Sequence, residues 1–572
     1  MIDDTGEDAH GRCPDESPAK NQLQEVASYR RDLLRGLVFV GGCTASAGAF
    51  APEVAAATLC VDPSDPSCYD TIQTAIDDAD EGDTIEVIKS DGPYNEAILI
   101  TKSITLIGDP GGTEPGVGPD APVLDGSGLT GVNGISFLEG VSDAWIEGFE
   151  IRNYRFDSEN GGFGRGISGE DNREPTANVT IRNNYVHDTG WSGIAVAHWS
   201  DLHNNWEVTN NVVETATRHG IRVSNCPNST IANNVVRGGP ALKCGILTES
   251  KRNRESTTSL TVSDISVKNN TVHGEFSVCG IEASAWNLAQ GDPVKIRGVT
   301  IAKNTVRGEL SGSEGNSDSV EGFDPAGIKI MTLAPGSTVE RVNIRDNEIS
   351  NSVVGVKLRE FFDGQPEVLG GTIDAVSVSG NTIEKSGHGA YLEGDAMEVS
   401  IEENTISDGL HTGIRIIERS DADSISVNSN DLVNNENWGI EHRGSGVLDG
   451  TNNWWGTKTG PSGGVQDPET GEIANGDGDR VDTDIRFDPW LEEPVADGGP
   501  PPVGGFQNPP TDPDGDGLYE DINGDGTFDI VDVQALFANL DDSAVTNNPD
   551  AFDFNGDGQV DVVDVQRLFN EL

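Results

Sequence analysis

Positive charge is scarce in this chain: 37 Lys and Arg stand against 96 Asp and Glu, a formal net charge of −59 over 572 residues. Nucleic acid is excluded as a partner, because its phosphate backbone would be repelled. The acidity runs along the whole chain rather than in one tail. It admits two readings: capture of a cation or basic partner, or adaptation to very high salt, where a dense carboxylate surface keeps a protein dissolved. Seven cysteines are too few for a disulfide framework of this size, and none shows the cysteine–histidine spacing of a zinc site. Three Met and nine His without clustering count against copper handling. Past about residue 50 no run reaches the roughly 18 apolar residues of a spanning helix. The length exceeds one compact core, so several units or a repeat array are expected.

The only long apolar stretch is near the start. Arg30-Arg31 precede a glycine-rich apolar run to about Phe50, followed by the small residues Ala55-Ala56-Ala57. This resembles a twin-arginine export signal with a peptidase site. Alternatively, Val40-Gly41-Gly42-Cys43 resembles a lipobox, which would make Cys43 a lipidated anchor. Together with the acidity, the signal is similar to those of extremely halophilic archaea. An oxidising exterior would let Cys60 pair with Cys68, and Cys244 with Cys279 if their Gly-Ile strands stack.

From about residue 179 a unit recurs: a β-branched strand, Asn, a short strand, a turn, then Gly-Ile and a third strand. Its asparagines are Asn184, Asn211, Asn234, Asn270, Asn304, Asn347, Asn381, Asn404, Asn430 and Asn453. Their spacing, roughly 23 to 43 residues, is that of a solenoid coil with loops inserted in some turns. Asn tolerates the left-handed turn such a coil needs, and stacked amides form a ladder. The flanking Val, Ile and Leu alternate inward with period two. The expected fold is therefore an all-β solenoid, a single-stranded parallel β-helix.

Tyr69–Ala79 reads as a short capping helix, followed by strands in Gly82–Val87 and Ile100–Gly108. This opening, TIQTAI…GDTIEV…ITKSITLIG, together with Asn452-Asn453-Trp454-Trp455-Gly456 at the far end, resembles the right-handed, pectate-lyase-like β-helix proteins over about residues 69 to 490. The resemblance implies the fold, but the fold serves lyases, hydrolases, epimerases and adhesins alike.

Aligning the Gly-Ile strands gives two outward columns on one sheet. The first reads Ala195, Arg222, Leu247, Glu282, Lys329, Lys357, Tyr391, Arg415, Glu441; the second Ala197, Ser224, Glu249, Ser284, Met331, Arg359, Glu393, Ile417, Arg443. Neighbouring turns lie ~4.8 Å apart, so these side chains touch. One reading is a groove for an acidic polysaccharide. Lys329, Lys357, Arg359 and Glu282 are then the candidate catalytic residues, a desolvated lysine serving as base and an arginine steadying the enolate. Arg222, Glu249, Tyr391, Glu393, Arg415 and Arg443 would line it. Glu249, Glu282 and Glu393 could instead hold calcium or act as paired acids. The other reading is an exposed salt-bridge ladder without chemistry. Gly387-His388-Gly389 is similar to a polygalacturonase motif, but that family's paired aspartates are missing. His388 and His219 share one turn position, which favours a structural role.

A Pro/Gly stretch at 492–511 reads as a stiff linker. Beyond it one loop occurs twice: Asp521, Asn523, Asp525, Thr527, Asp529 and Asp532, then Asp553, Asn555, Asp557, Gln559, Asp561 and Asp564. Oxygens at positions 1, 3, 5, 7, 9 and 12, with Gly526 or Gly558 at position 6, suit a hard cation the size of Ca2+. With Asp at position 12 and only an exiting helix, the pair resembles a dockerin, whose partner is a cohesin. Positions 10 and 11 hold Ile530-Val531 and Val562-Val563 where dockerins carry hydroxyls, a departure that bears on the partner. Asp512–Gly517 begins a third, incomplete loop. The organisation expected is signal region 1–57, β-helix 58–491, linker 492–511 and an α-helical, paired EF-hand-like module 512–572. The function expected is a secreted protein that binds and cleaves an acidic polysaccharide. Its rival is a non-catalytic adhesion or matrix scaffold.

Overall fold

The computed structural model describes residues 56–572, apart from 158–161, 171–173, 198–200, 253–259, 288–292, 310–324, 334–335, 362–370, 418–421, 496–499, 514–517, 556–558 and the single residues 113, 139, 215, 240, 395, 501, 507, 541, 547 and 571. The paired arginines, Cys43 and Ala55 fall outside the described residues, as does Asp557.

Among the described residues the strands form three parallel sheets of 15, 11 and 12 strands. The first sheet runs from Thr58–Val61 to Ile485–Arg486, the second from Val123–Asp125 to Asp431–Val433, the third from Ile98–Ile100 to Trp438–His442. From Thr105–Ile107 to Trp438–His442 each coil visits them in that order, so a strand pairs with its counterpart one coil away, as Tyr185–His187 does with Val212–Glu214. This is a right-handed parallel β-helix. One continuous apolar core fills it, with Ile194, Ile221, Ile246, Ile281 and Ile328 stacked along the third sheet.

The asparagines form the ladder. From Asn184 to Asn453 each one's backbone N–H and side-chain Nδ2 both donate to the Oδ1 of the next, at 2.9–3.1 Å and 2.8–3.1 Å. Nδ2 also donates to a carbonyl of the preceding coil, as Asn381 does to Ile344 at 2.8 Å. The ten amides are buried, where an unmet polar group would be costly. The expected reason for asparagine needs one correction. The left-handed residue is the one before it, and there Lys303, Asp346 and Glu403 serve as well as Asn183 or Asn210. Asparagine is required for its side-chain bonds, not for its backbone.

At the N-terminal end the helix Ile72–Asp78 buries Ile72, Ala75 and Ile76 over the first coil, with Thr71 as N-cap. At the far end Trp455 is fully buried beyond the last rung. Cys60 pairs with Cys68 and Cys244 with Cys279. The C-terminal module has its own core around Ile522, Leu536, Phe552 and Leu568, and it takes in Val503 from the Pro/Gly stretch. An apolar side chain in that stretch gains more by packing on the helices than by staying extended in water.

Candidate functional site

The register of the third sheet decides which side chains are neighbours. Ala195, Arg222, Leu247, Glu282, Lys329, Lys357, Tyr391, Arg415 and Glu441 share one position on successive strands. Ala197, Ser224, Glu249, Ser284, Met331, Arg359 and Glu393 lie two residues further along. A third column stands just before each glycine, and aligning only the residues after the glycine does not reveal it. It carries Ser192, His219, Cys244, Cys279, Ala326, Val354, His388, Thr412 and Trp438. The shared place of His219 and His388, and of Cys244 and Cys279 before Gly-Ile, is its signal in the sequence.

The depth of the face differs from expectation. An outward column should be solvent-exposed, yet Lys329 and Lys357 are fully buried and Arg222, Glu249, Glu282, Tyr391 and Glu441 nearly so. Columns side by side on turns ~4.8 Å apart screen one another, and ion pairs lay the long side chains along the sheet. Arg222 meets Glu249 at 2.6 Å, Lys329 meets Glu282 at 3.7 Å, Arg359 meets Glu393 at 3.0 Å and Arg415 meets Glu441 at 3.0 Å. Arg443 reaches the same Glu441 at 2.8 Å. The Tyr391 ring has the Lys357 ammonium at 5.8 Å and the Arg415 guanidinium at 6.0 Å. His388 stands edge-on to Tyr391 at 5.7 Å and stacks on His411 at 5.1 Å. Solvent access returns toward the C-terminal coils: the side chains of Arg359, Glu393 and Arg443 are 11%, 21% and 58% exposed.

Burial sets the protonation balance. It lowers the pKa of Lys329; Glu282 opposes this, and Arg359 adds to it. Burial pushes the Glu249 carboxyl up, but Arg222, Lys251 and Ser224 together outweigh it and hold the pKa at about 2. His219 is held well below its ordinary value by burial and by Arg218, Arg222, Lys251 and Lys243. Glu282 also lies 3.5 Å from the Cys279 sulfur.

In the C-terminal module the first acidic loop is wound around its own carboxylates. Asp532 accepts from the backbone of Asn523 at 3.1 Å and of Asp529 at 2.8 Å; Asp521 accepts from Gly526 at 2.9 Å and from the Thr511 hydroxyl at 2.7 Å. Asp521 and Asp532 are fully buried. Burial raises the pKa of Asp532, and the charges of Asp521 and Asp525 raise it further. Converging buried carboxylates that repel one another fit a hard divalent cation, so the residues suit Ca2+. The second loop repeats the design: Asp564 accepts from Asn555 and Asp561 at 3.0 and 2.7 Å. Each loop ends in a helix, Ile530–Ala538 or Val562–Phe569, closed by the same aspartate capping box.

Two family models match. Residues 130–306 match the right handed beta helix region. Residues 519–572 match the dockerin type I domain. No curated protein matches the chain. Among solved structures, the A-module of the Azotobacter vinelandii mannuronan C-5 epimerase AlgE4 is similar at 16% identity, covering 66% of this chain and 93% of that one, with a TM-score of 0.36. A Yersinia enterocolitica family 28 exopolygalacturonase is 12% identical over 68% of this chain and 78% of its own, with a TM-score of 0.36. The GH87 α-1,3-glucanase of Streptomyces thermodiastaticus is 13% identical over 70% and 67%, with a TM-score of 0.39. No helix among the described residues is long and apolar enough to cross a membrane.

Proposed function

We propose that this chain is a secreted carbohydrate-active protein that binds an acidic polysaccharide on the outer face of the third sheet and cleaves it by β-elimination. The observation that carries this reading is the burial of Lys329 and Lys357 on adjacent coils. Burying ionised groups costs several kcal/mol each, and apolar side chains of similar volume would stabilise a solenoid better. Perturbed, buried ionisable groups gather where chemistry needs them.

The roles are assigned by position. Arg359 and Arg443, where solvent reaches the columns, meet a uronate carboxylate first. Lys329 is assigned as base because burial disfavours its charged form. Its Nζ lone pair takes the sugar C5 proton, and the electrons of that bond form the C4=C5 double bond through an enolate that Arg359 steadies. The C4–O bond breaks, and the departing oxygen takes a proton from the Tyr391 hydroxyl. Lys329 must be uncovered for this step, since it has no exposed surface here. Incubation with a panel of uronate polysaccharides tests the reading. Unsaturated products and new reducing ends are expected from the wild type and none from Lys329→Met.

The pairing pattern favours a second reading. Lys329, Arg359, Arg415 and Arg443 each have a carboxylate partner, as a structural ladder would. The chain would then be an adhesion or matrix scaffold, and binding without any product would identify it as such.

The tail is proposed to bind Ca2+ through Asp521, Asn523, Asp525, Thr527, Asp529 and Asp532 and their counterparts Asp553, Asn555, Asp557, Gln559, Asp561 and Asp564. The metal would neutralise the carboxylates. The loops would then hold both helix starts in place, presenting Ile530-Val531 and Val562-Val563, each about half exposed, to a cohesin-like partner whose docking surface is apolar.

A further inference from the structure

In the turn that leads into the third sheet, toward its N-terminal coils, stands a cluster that the catalytic reading does not use. The Trp191 ring carries the Arg218 guanidinium at 4.4 Å, and Phe163 meets Trp191 edge-on at 5.1 Å. Phe156, 37% exposed, lies 5.5 Å from Trp191. Arg165, itself buried, stacks on Phe163 at 4.1 Å. On the next coil the Lys243 backbone donates to the Arg218 carbonyl at 2.7 Å, so the two half-buried cations sit one above the other.

The array is built, not accidental. Phe156 and Phe163 flank a short antiparallel pairing of Asp157 with Gly162. That pairing docks against Gly190, where any β-carbon would come within 2.2 Å of the Phe156 nitrogen and 2.6 Å of the Phe163 oxygen. The aromatic cluster is thus held against the strand that begins after Trp191. Four cations act on neighbouring His219: Arg222 and Lys251, which the buried Glu249 answers, and Arg218 and Lys243, which stand in the turn itself. In a chain with 37 cations among 572 residues, Arg218 and Lys243 on adjacent coils of one turn, beside an aromatic surface, mark a place suited to an anion.

We propose that Arg218 and Lys243, backed by Arg165 and the Phe156–Phe163–Trp191 cluster, form a separate subsite for an anionic sugar unit, carboxylated or sulfated. This rests on the acidic-glycan reading for its ligand class but not on the chemistry. Guanidinium and ammonium groups hold either anion through charge-assisted hydrogen bonds, and Phe156 offers an apolar surface to a ring. Four coils separate Arg218 from the Lys357 coil, a span of roughly 19 Å. A ligand touching both ends is therefore a polymer, and short oligosaccharides engage one end only.

The test uses the full chain and its Arg218→Gln/Lys243→Gln double variant at high salt, so that distant carboxylates are screened. Affinity is measured for polygalacturonate, dextran sulfate, neutral dextran and a galacturonate trimer, with melting followed in parallel. The expected result is an affinity for at least one polyanion that falls about tenfold or more in the double variant, with unchanged melting and no binding of neutral dextran. The two polyanions distinguish carboxylate from sulfate. Trimer binding that survives the double substitution is expected if the trimer occupies the other end. If the double variant destabilises the fold, Lys243→Glu, on the half-buried turn, replaces it. Unchanged polyanion affinity in a folded variant overturns the subsite, as does a wild type that binds neither polyanion. Product release is assayed separately: polyanion binding lost in the variant, with no cleavage by the wild type, removes the lyase and keeps the subsite.

Discussion

The Glu282 carboxylate lies 3.7 Å from the Lys329 ammonium and 3.5 Å from the Cys279 sulfur, so one side chain joins a buried lysine to a buried cystine. Glu282 is what keeps the charged form of Lys329 tolerable, since burial and Arg359 both act against it.

Removing that partner alone should therefore be harmful. Glu282→Gln is expected to lower stability by about 3–5 kcal/mol, less whatever is recovered when Lys329 gives up its proton. The double substitution Glu282→Leu with Lys329→Met should be neutral, or stabilising by about 1–4 kcal/mol. Equilibrium denaturation of the three proteins checks this. A double variant less stable than the wild type would show that the pair stabilises the fold.

The depressed pKa of Lys329 has a sign that can be read in solution. Between its folded value and its ordinary one the unfolded chain binds the extra proton, so this group's contribution to stability grows as pH rises through that window. Alkaline melting curves of the wild type should climb relative to Lys329→Met. Parallel curves would mean that the lysine is not desolvated. Cleavage, where found, should increase through the same window, as the free amine is the active form.

Glu249 runs the other way. Its folded pKa of about 2 lies below that of a free carboxylate, so its stabilisation is present above the ordinary range and is lost as pH falls toward about 2. Arg222→Met should remove most of that acid-side slope and leave a buried charge unmatched. An unchanged acid limb would mean that Ser224 and Lys251 alone hold the carboxylate.

Within the ladder, Asn381→Ala takes away the side-chain oxygen to which the Asn347 backbone N–H and Nδ2 both donate, and it removes one of the two donors to Asn404 Oδ1. A cost of about 1–3 kcal/mol is expected, against a few tenths for exposed Asn475→Ala. Equal melting temperatures for the two would remove the ladder from the account of stability.

Calcium should act on the tail alone. Chelation is expected to abolish or shift one unfolding transition of the full chain while leaving that of the β-helix in place, and Asp532→Ala should mimic it. A single transition indifferent to calcium in calorimetry would disprove metal binding.

The fold is legible in the sequence because its determinants are periodic. The recurrent Asn, the Gly-Ile that opens most third-sheet strands and alternating Val and Ile specify stacking without reference to distant sequence. The same periodicity places Glu282, Lys329, Lys357, Tyr391 and Arg415 in line, and it puts Cys244 beside Cys279. Depth is not legible. Whether an outward residue meets water depends on neighbours three-abreast and on side-chain pairing, which a one-dimensional repeat does not encode, so Lys329 reads as a surface cation. The Phe156–Phe163–Trp191 cluster is invisible for a related reason, because it arises where a non-repeating loop crosses the repeat at Gly190.

Asn304 and Asn347 are 43 residues apart in the chain, Asn381 and Asn404 only 23, yet the side-chain bond across each gap is 2.9 Å. Contour length and axial spacing are thus decoupled: material added between two rungs leaves neither rung displaced. A molecule made this way can be lengthened at a chosen storey by splicing a peptide into one excursion, and the storeys above and below keep their alignment. New surface can be trialled one level at a time, with failure confined to the level where it was tried.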